Sequence, residues 1–283
     1  MQETLAVALQ GLVKRFGTKV AVNNVHLEIP QGTCYGLVGP NGAGKTTTLS
    51  MLTGMLRPDM GNAYVFGQDV WSDTAAAKRQ LGIMPEADQL FNRLTGLQLL
   101  VYSGMLRGMK RDVATERAHD LLQAFDLQGD ASKLVVDYSA GMTKKIALAT
   151  AMIHAPKILV LDEPFESVDP VSSANIRDIL QTYVRAGGTV IVSSHVMGLV
   201  EKICTHVAVI AHGQVLASGT VAQVADGMDL EERFFSLVGG RHESQGFAWL
   251  GGVGEQPVQD EAAQDESGFE STQNVPAQNA VQQ

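Results

Sequence analysis

A glycine-rich segment, residues 39–46, has the residue types and spacing of a phosphate-binding loop. It fits the pattern G-x-x-x-x-G-K-S/T without a mismatch and reads Gly39, Pro40, Asn41, Gly42, Ala43, Gly44, Lys45, Thr46, with Thr47 following. Glycines let the backbone wrap around a polyphosphate, so that N–H groups and a helix N-terminus face negative charge. Lys45 is expected to reach the β- and γ-phosphates and Thr46 to bind Mg²⁺. The segment predicts a nucleoside triphosphate site.

Two predicted strands position this loop and a pair of acids. Residues 34–38 indicate a short buried strand before the loop, and residues 46–52 indicate the helix after it, which is the context that the motif requires. A second apolar strand, residues 158–161, ends in Asp162 and Glu163, at the edge where α/β sheets place their ligands. Asp162 is suited to hold Mg²⁺, directly or through water. Glu163, expected on the opposite side of the pleat, is suited to polarise an attacking water.

The order of motifs resembles the nucleotide-binding domain of ABC-type ATPases, from residue 5 to about residue 240. The discriminating segment is Tyr138–Met142, which is similar to the L-S-G-G-Q signature of that family and is followed by a run of strong helix formers. Other phosphate-loop enzymes lack this segment. The resemblance implies an α/β P-loop NTPase fold with a RecA-like parallel sheet core, an N-terminal antiparallel β subdomain and an inserted helical subdomain.

The resemblance also implies nucleotide contacts outside the loop. Phe16 stands where the family stacks an aromatic residue on adenine, although a core aromatic residue at a strand end is the alternative. Ser139, a candidate helix N-cap, and Gly141 are expected to meet the γ-phosphate held by a second copy. Asp169 matches the acid of a loop that crosses the interface between the two copies.

Two further positions complete the implied catalytic and metal set. Glu86 stands where the family usually has a glutamine that senses Mg²⁺ and the attacking water, and His195 matches the histidine that contacts the γ-phosphate. A structural role is the alternative for a histidine that follows a strand. The implied catalytic residues are therefore Lys45, Glu163 and His195, and the implied metal-binding residues are Thr46, Asp162 and Glu86.

The chain departs from the family pattern at several positions. Ala140 replaces the first signature glycine, which loosens the approach to a phosphate unless its φ is negative. Ionised Glu86 cannot donate the hydrogen bond that glutamine can. The other departures are Tyr138, Met142 and Phe165. Because the primary set of Lys45, Thr46, Asp162, Glu163 and His195 is complete, hydrolysis is expected.

Composition excludes several other classes of protein. The 283 residues are 45% hydrophobic, enough for a packed core, and carry a formal net charge of −9, which argues against a nucleic-acid surface. No apolar stretch approaches the ~20 residues that span a bilayer, and the N-terminal residues do not resemble a secretory signal. Cys34 and Cys204 are far apart and lack a C-x-x-C spacing, which indicates buried thiols in a reducing compartment.

The predicted organisation is one nucleotide-binding domain, residues 1–240, and an acidic tail rich in Gln and Gly, residues 241–283, with the composition of disorder. Residues 5–36 alternate as strands and predict an antiparallel sheet before the phosphate loop. Residues 87–155 are mainly helical and predict the subdomain that carries the signature. The later predicted elements are strands at 158–161 and 189–193, helices at 171–185, 197–203 and 229–238, and a hairpin at 206–219.

The resemblance implies a transport motor with ATP and Mg²⁺ as cofactors. Its partners would be an integral membrane permease and a second ATP-binding subunit, identical or different, at the cytoplasmic face of the cell membrane. The Pro-Glu at Glu86 and the closing segment 230–235 are closer to exporters than to importers. A nucleotide-gated module with weak or no hydrolysis is the alternative that Ala140 and Glu86 keep open. A tandem ribosomal ATPase and a coiled-coil DNA-repair ATPase do not fit one domain with roughly 95 residues between loop and signature.

Overall fold

Two β-sheets organise residues 4–239, the part of the chain that the computed structural model describes. The strands are β1 (Leu5–Phe16), β2 (Lys19–Pro30), β3 (Cys34–Val38), β4 (Met60–Val65), β5 (Gln68–Asp69), β6 (Leu81–Ile83), β7 (Ile158–Asp162), β8 (Thr189–Ser194), β9 (His206–Ala211) and β10 (Gln214–Thr220). One sheet has the order β2-β1-β4-β5 and the other β10-β9-β3-β8-β7-β6.

The helices follow the same chain order. They are α1 (Lys45–Leu52), α2 (Thr74–Gln80), α3 (Gly96–Leu106), α4 (Arg111–Ala124), α5 (Ala140–Met152), α6 (Pro170–Arg185), α7 (Met197–Ile203), α8 (Val221–Ala225) and α9 (Leu230–Val238). Within residues 4–239, no helix is both long enough and apolar enough to cross a membrane.

The first sheet is antiparallel, as the alternation in residues 5–36 predicts. It is not confined to residues before the phosphate loop, however. The strands β4 and β5, which follow the loop, extend it beside β1, whereas β3 belongs to the second sheet. The sequence did not show this because short strands between turns carry little periodicity.

The second sheet places the ends of three strands at one edge. Strands β3, β6, β7, β8 and β9 run parallel, and β10 returns antiparallel to β9. Alternate side chains of β3 enter two different cores: Tyr35 and Leu37 join α1 and the antiparallel sheet, whereas Cys34 and Val38 join the helices of the other face. The carboxyl ends of β3, β7 and β8 are neighbours, so residues 39–46, 162–163 and 195 meet at one edge.

The helical segment expected at 87–155 contains α3, α4 and α5. Thr95 begins α3 with a reciprocal capping box, in which its side chain accepts from Gln98 N–H and the Gln98 side chain accepts from Thr95 N–H. The later predicted elements are present at 158–162, 170–185, 189–194, 197–203, 206–220 and 230–238. The boundaries of the domain and subdomain remain predictions, and the predicted tail, residues 241–283, lies outside the described residues.

Cys34 and Cys204 are both buried and free. Although they are 170 residues apart in sequence, their Sγ atoms lie 3.4 Å apart, because α7 packs on the start of β3. The hydrogen bond to Cys34, together with burial, raises the pKa of the Cys204 thiol well above its usual value.

Gly36 permits the close packing of α7 on β3, and we expect Gly36→Ala to weaken it. An added Cβ would overlap Cγ1 of Val200 on α7. Overpacking of this kind typically lowers the free energy of unfolding by about 1–3 kcal/mol, measured by urea denaturation. Gly198→Ala is the matched control, because Gly198 lies on α7, as Val200 does, and an added Cβ there would meet open space. It should leave the free energy of unfolding unchanged or raise it by up to about 1 kcal/mol. Equal effects of the two substitutions would contradict this account of the packing.

Candidate nucleotide site

The phosphate-binding loop connects β3 to α1 and depends on glycine at two close approaches. An added Cβ at Gly39 would overlap the carbonyl oxygen of Ile210. Gly44, the N-cap of α1, has φ 106°, and an added Cβ there would lie 2.6 Å from the carbonyl oxygen of Ala21. The loop therefore follows a path that a side chain at either position would block.

Lys45 points back into its own loop. Its buried Nζ donates hydrogen bonds to the carbonyl oxygens of Gly39, at 2.8 Å, and Pro40, at 3.3 Å. The same Nζ lies 3.4 Å from Oε1 of Glu163. The loop thus holds an ammonium group beside Glu163, the acid that follows β7, where it can attract a phosphate.

A cavity of about 310 Å³ lies over the loop. Phe16 lines one side and is 52% exposed, so it is not a core residue. Glu163 lines the cavity as well. The remaining lining residues are Lys19, Ala21, Asn41, Gly42, Ala43, Gly44, Lys45, Thr46 and Thr47. An exposed aromatic ring and a loop with glycines and an ammonium group therefore face one space.

Glu163 connects three segments of the chain. Oε2 lies 3.1 Å from Nδ1 of His195, which can donate to it, and Oε1 faces Lys45. Oε1 is buried without a hydrogen bond, because the Lys45 contact has the length of an ion pair and not hydrogen-bond geometry. Oε1 therefore keeps its capacity to accept a hydrogen bond.

Ser193 holds both acids and was not singled out from the sequence. Its hydroxyl donates to Oδ1 of Asp162 and accepts from the backbone N–H of Glu163 at 3.0 Å. The expectation that Glu163 continues the pleat is wrong: β7 ends at Asp162, and Glu163 has φ 45°, in the left-handed region. A turn and not strand alternation directs its side chain.

The signature-like segment lies at the N-terminus of α5, beside the N-terminus of α6. Ser139 caps α5, as expected, and its Oγ accepts from Met142 N–H at 3.3 Å. Asp169 caps α6 through Val171 N–H and Ser172 N–H. Hydrogen bonds from Ser172 lower the pKa of the Asp169 carboxyl.

Gly141 separates these two caps, since an added Cβ there would lie 2.8 Å from Oδ2 of Asp169. Among the described residues that line the cavity over the loop, Ser139, Gly141 and Asp169 are absent. The structure therefore brings these three residues together, but not with the phosphate-binding loop of the same chain.

The departures from the family signature are accommodated by packing. Ala140 is the first residue of α5, has no positive φ and is exposed, so its methyl group is unstrained. The buried Tyr138 hydroxyl donates to the carbonyl oxygen of Asp130 at 2.9 Å, and burial raises its pKa. Met142 and Phe165 are partly buried against the core.

Glu86 stands apart from the other predicted site residues. It follows β6, which pairs with β7, so it lies at the same edge of the sheet as Asp162. Its side chain is exposed, does not line the cavity and makes no hydrogen bond or ion pair with a residue of 4–239. Its predicted role in metal binding stays a prediction.

The fold and the loop define a phosphate-loop nucleotide hydrolase, and the comparisons with known proteins identify the family. Residues 22–166 match the family described as ABC transporter. The chain is 38% identical over 223 residues to the daunorubicin/doxorubicin resistance ATP-binding protein DrrA of Streptomyces peucetius, covering 79% of this chain and 68% of that protein. It is 36% identical to the Nod factor export ATP-binding protein I of a Rhizobium species, covering 76% and 71%.

The solved structures agree. An ATP-binding subunit of an ABC transporter superposes with a TM-score of 0.76 at 25% identity, over 83% of this chain and all of that one. The chain belongs to the ABC transporter family of ATP-binding proteins. It is an ATP-binding, ATP-hydrolysing subunit, as the motif order predicts, and its α/β P-loop fold is confirmed.

We expect Glu163→Gln to reduce ATP hydrolysis by at least about 100-fold while ATP still binds, because the amide keeps the shape of the side chain but cannot accept a proton. Phosphate release at saturating ATP and binding of a fluorescent ATP analogue measure the two effects. Glu166→Gln, an exposed acid of the same turn, is the matched control and should hydrolyse ATP normally. Full activity of Glu163→Gln would exclude Glu163 as the base.

Proposed function

We propose that this chain binds Mg²⁺-ATP over the loop, pairs head to tail with a second ATP-binding subunit, and drives a membrane permease that exports its substrate. The observation that carries the proposal is the carboxylate of Glu163, which lies between Lys45 and His195 at the border of the loop cavity. That the chain binds and hydrolyses ATP follows from its membership of the family. The roles of single residues are our assignment.

The adenine would stack on Phe16 and the phosphates would lie on the backbone N–H groups of residues 39–47. Phe16 is exposed and shares the cavity with the loop, which suits a ring that meets a ligand. Lys45 would turn from its carbonyl acceptors towards the β- and γ-phosphates. A hydroxyl and a carboxylate are ligands that Mg²⁺ accepts, and Thr46 and Asp162 supply them, with Glu86 expected to act through water.

Hydrolysis would use the residues gathered at the edge of the sheet. Glu163 Oε1 accepts a proton from the attacking water, while His195 holds Oε2 through Nδ1–H and fixes the direction of the carboxylate. Lys45 neutralises charge that develops on the γ-phosphate. Bound Mg²⁺ supplies further neutralisation of the phosphate oxygens.

The second subunit would complete each site. Ser139 is exposed and Gly141 is buried at the N-terminus of α5, away from the loop of their own chain, where backbone N–H groups and the helix dipole favour an anion. The γ-phosphate on the partner subunit is the anion that we assign to this surface. Asp169 caps α6 beside Gly141 and would shape the same surface. Identical and different partner subunits both fit.

The permease would dock in an apolar groove of about 820 Å³ beside α3. The groove begins at Leu90, four residues after Glu86. The rings of Phe91 and Tyr102 pack edge to face in it, with 5.2 Å between the ring centroids. Both rings remain exposed, at 51% and 42%. Such a surface suits a short amphipathic helix. Its lining also includes Arg93, Leu94, Leu97, Val101, Met105 and Arg111.

Export is the direction that we assign, at the cytoplasmic face of the cell membrane. One relative is named for Nod factor export and another for resistance to daunorubicin and doxorubicin. Similarity to those proteins supports export as the direction of transport.

We expect Phe91→Ser/Tyr102→Ser to lose the permease while ATP binding survives. The double variant removes both aromatic side chains that line the groove but leaves the loop cavity intact. The measurement is affinity purification from detergent-solubilised membranes, made in the Glu163→Gln background with ATP. Met60→Ser, 65% exposed on the antiparallel sheet, is the control and should retain the permease. A polytopic membrane protein that co-purifies equally with all variants would exclude this groove as the docking site, and its absence with all of them would exclude the permease.

A further inference from the structure

Glu163 is held by both of its backbone groups, and each is held by a side chain from another element. Its N–H donates to Ser193 Oγ at 3.0 Å, and its carbonyl oxygen accepts from Nζ of Lys144 at 3.0 Å. The same carbonyl also accepts from the Glu166 N–H, at 3.2 Å, which closes the turn. These bonds fix a residue whose φ of 45° is unfavourable for a side chain with a Cβ.

Lys144 belongs to the helix that begins with the signature-like segment. It lies on α5, two residues after Met142, and reaches 19 residues along the chain to the Glu163 carbonyl. The ammonium contact is partly buried, so water competes with it less than at the surface. The N-cap Ser139 and the lysine that contacts the Glu163 turn are therefore five positions apart on one helix.

We propose that Lys144 is a positioning residue that couples the placement of the α5 N-terminus to Glu163 of the same chain. The inference rests on the proposed role of Ser139 and Gly141 as contacts to the nucleotide of the partner subunit. When that nucleotide engages the start of α5, Lys144 holds the Glu163 turn in the conformation that aims Oε1 at the attacking water. Contact between the signature-like segment and the nucleotide of the partner subunit thus controls the rate of hydrolysis in the chain that carries that segment.

The geometry makes this contact sensitive to small shifts of the helix. The hydrogen bond of 3.0 Å passes the ~3.5 Å limit of such bonds if the separation of Lys144 Nζ and the Glu163 carbonyl oxygen grows by about 0.5 Å. Ser193 lies in the buried strand β8 and holds the N–H side of the turn independently of α5. Movement of α5 therefore changes one anchor of Glu163 while the other stays in place.

The first test is the kinetics of Lys144→Met, which keeps the aliphatic stem and removes the ammonium. We expect kcat for ATP to fall about 10-fold, with KM and the affinity for a fluorescent ATP analogue within about 2-fold of wild type. Lys144→Arg should recover kcat to within about 3-fold, since its guanidinium can donate to the same carbonyl. Lys202→Met, an exposed lysine on α7, is the matched control. The thermal midpoint of each variant reports on folding.

An unchanged kcat in a folded Lys144→Met would overturn the inference, as would a rise in KM that matches the loss in kcat. If Lys144→Met fails to fold, Lys144→Arg and Lys144→Gln decide the matter, because the inference predicts kcat in the order Lys, Arg, Gln. Hydrolysis by the wild-type protein is measured alongside, so that failure of the proposed function and failure of this inference can be distinguished. An inactive wild type contradicts the proposed function. An active wild type whose kcat is unaffected by substitution of Lys144 contradicts only this inference.

A double-mutant cycle tests the coupling itself. Ser139→Ala should lower kcat in wild type and should have a clearly smaller effect in Lys144→Met, because the path from the helix N-terminus to Glu163 is already broken. Additive losses would show that the two residues act separately and would overturn the coupling. A loss with Lys144→Met but none with Ser139→Ala would also overturn it, since no signal from the signature would then exist to pass on.

Discussion

The candidate site depends on the contacts that the carboxylate of Glu163 makes with Lys45 and His195. The carboxylate joins Lys45 at the end of the loop to His195 after β8, across 118 and 32 residues of sequence. The left-handed backbone of Glu163 costs about 1–2 kcal/mol. A neutral hydrogen bond returns about 0.5–1.5 kcal/mol and one from a charged donor about 1.5–3 kcal/mol. The contacts from Ser193 and Lys144 are therefore sufficient to hold the strained turn.

Much of this arrangement follows from the sequence because parallel strands bring their carboxyl ends together. The phosphate loop, Asp162 and His195 were each expected after a buried apolar strand, and the sheet order places those strands side by side. The direction of Glu163 was not predictable, since alternation stops where β7 ends. The contacts of Ser193 and Lys144 were not predictable either. Each spans 19 or more residues and depends on the backbone path of a turn.

The signature-like segment departs from the family sequence but can still present backbone N–H groups to an anion, because it forms the N-terminus of a helix. An anion at this position meets N–H groups, which Ala140 and glycine both have. Ala140 has helical geometry, and alanine is the best helix former, so it stabilises the first turn of α5. Gly141 is the tighter position, because an added Cβ there would lie 2.8 Å from Oδ2 of Asp169 and 2.9 Å from Oγ of Ser172, and these side chains would have to shift. The steric requirement of this segment therefore lies at the second signature glycine, Gly141, and not at the first, where Ala140 stands.

The groove and the signature-like segment are joined by backbone hydrogen bonds, which would connect a partner docked in the groove, as we propose, to the site. Val135 N–H donates to the Leu94 carbonyl at 2.9 Å and Val136 N–H to the Asn92 carbonyl at 3.0 Å, so the groove wall pairs with the segment that leads into Tyr138. Tyr138 in turn packs against Gly96 at the start of α3, where a Cβ would overlap its hydroxyl. Displacement of the groove wall must then move the start of α5, because backbone bonds and close packing leave little room for independent motion. The contact from α5 to Glu163 then carries this displacement to the acid that we propose as the catalytic base.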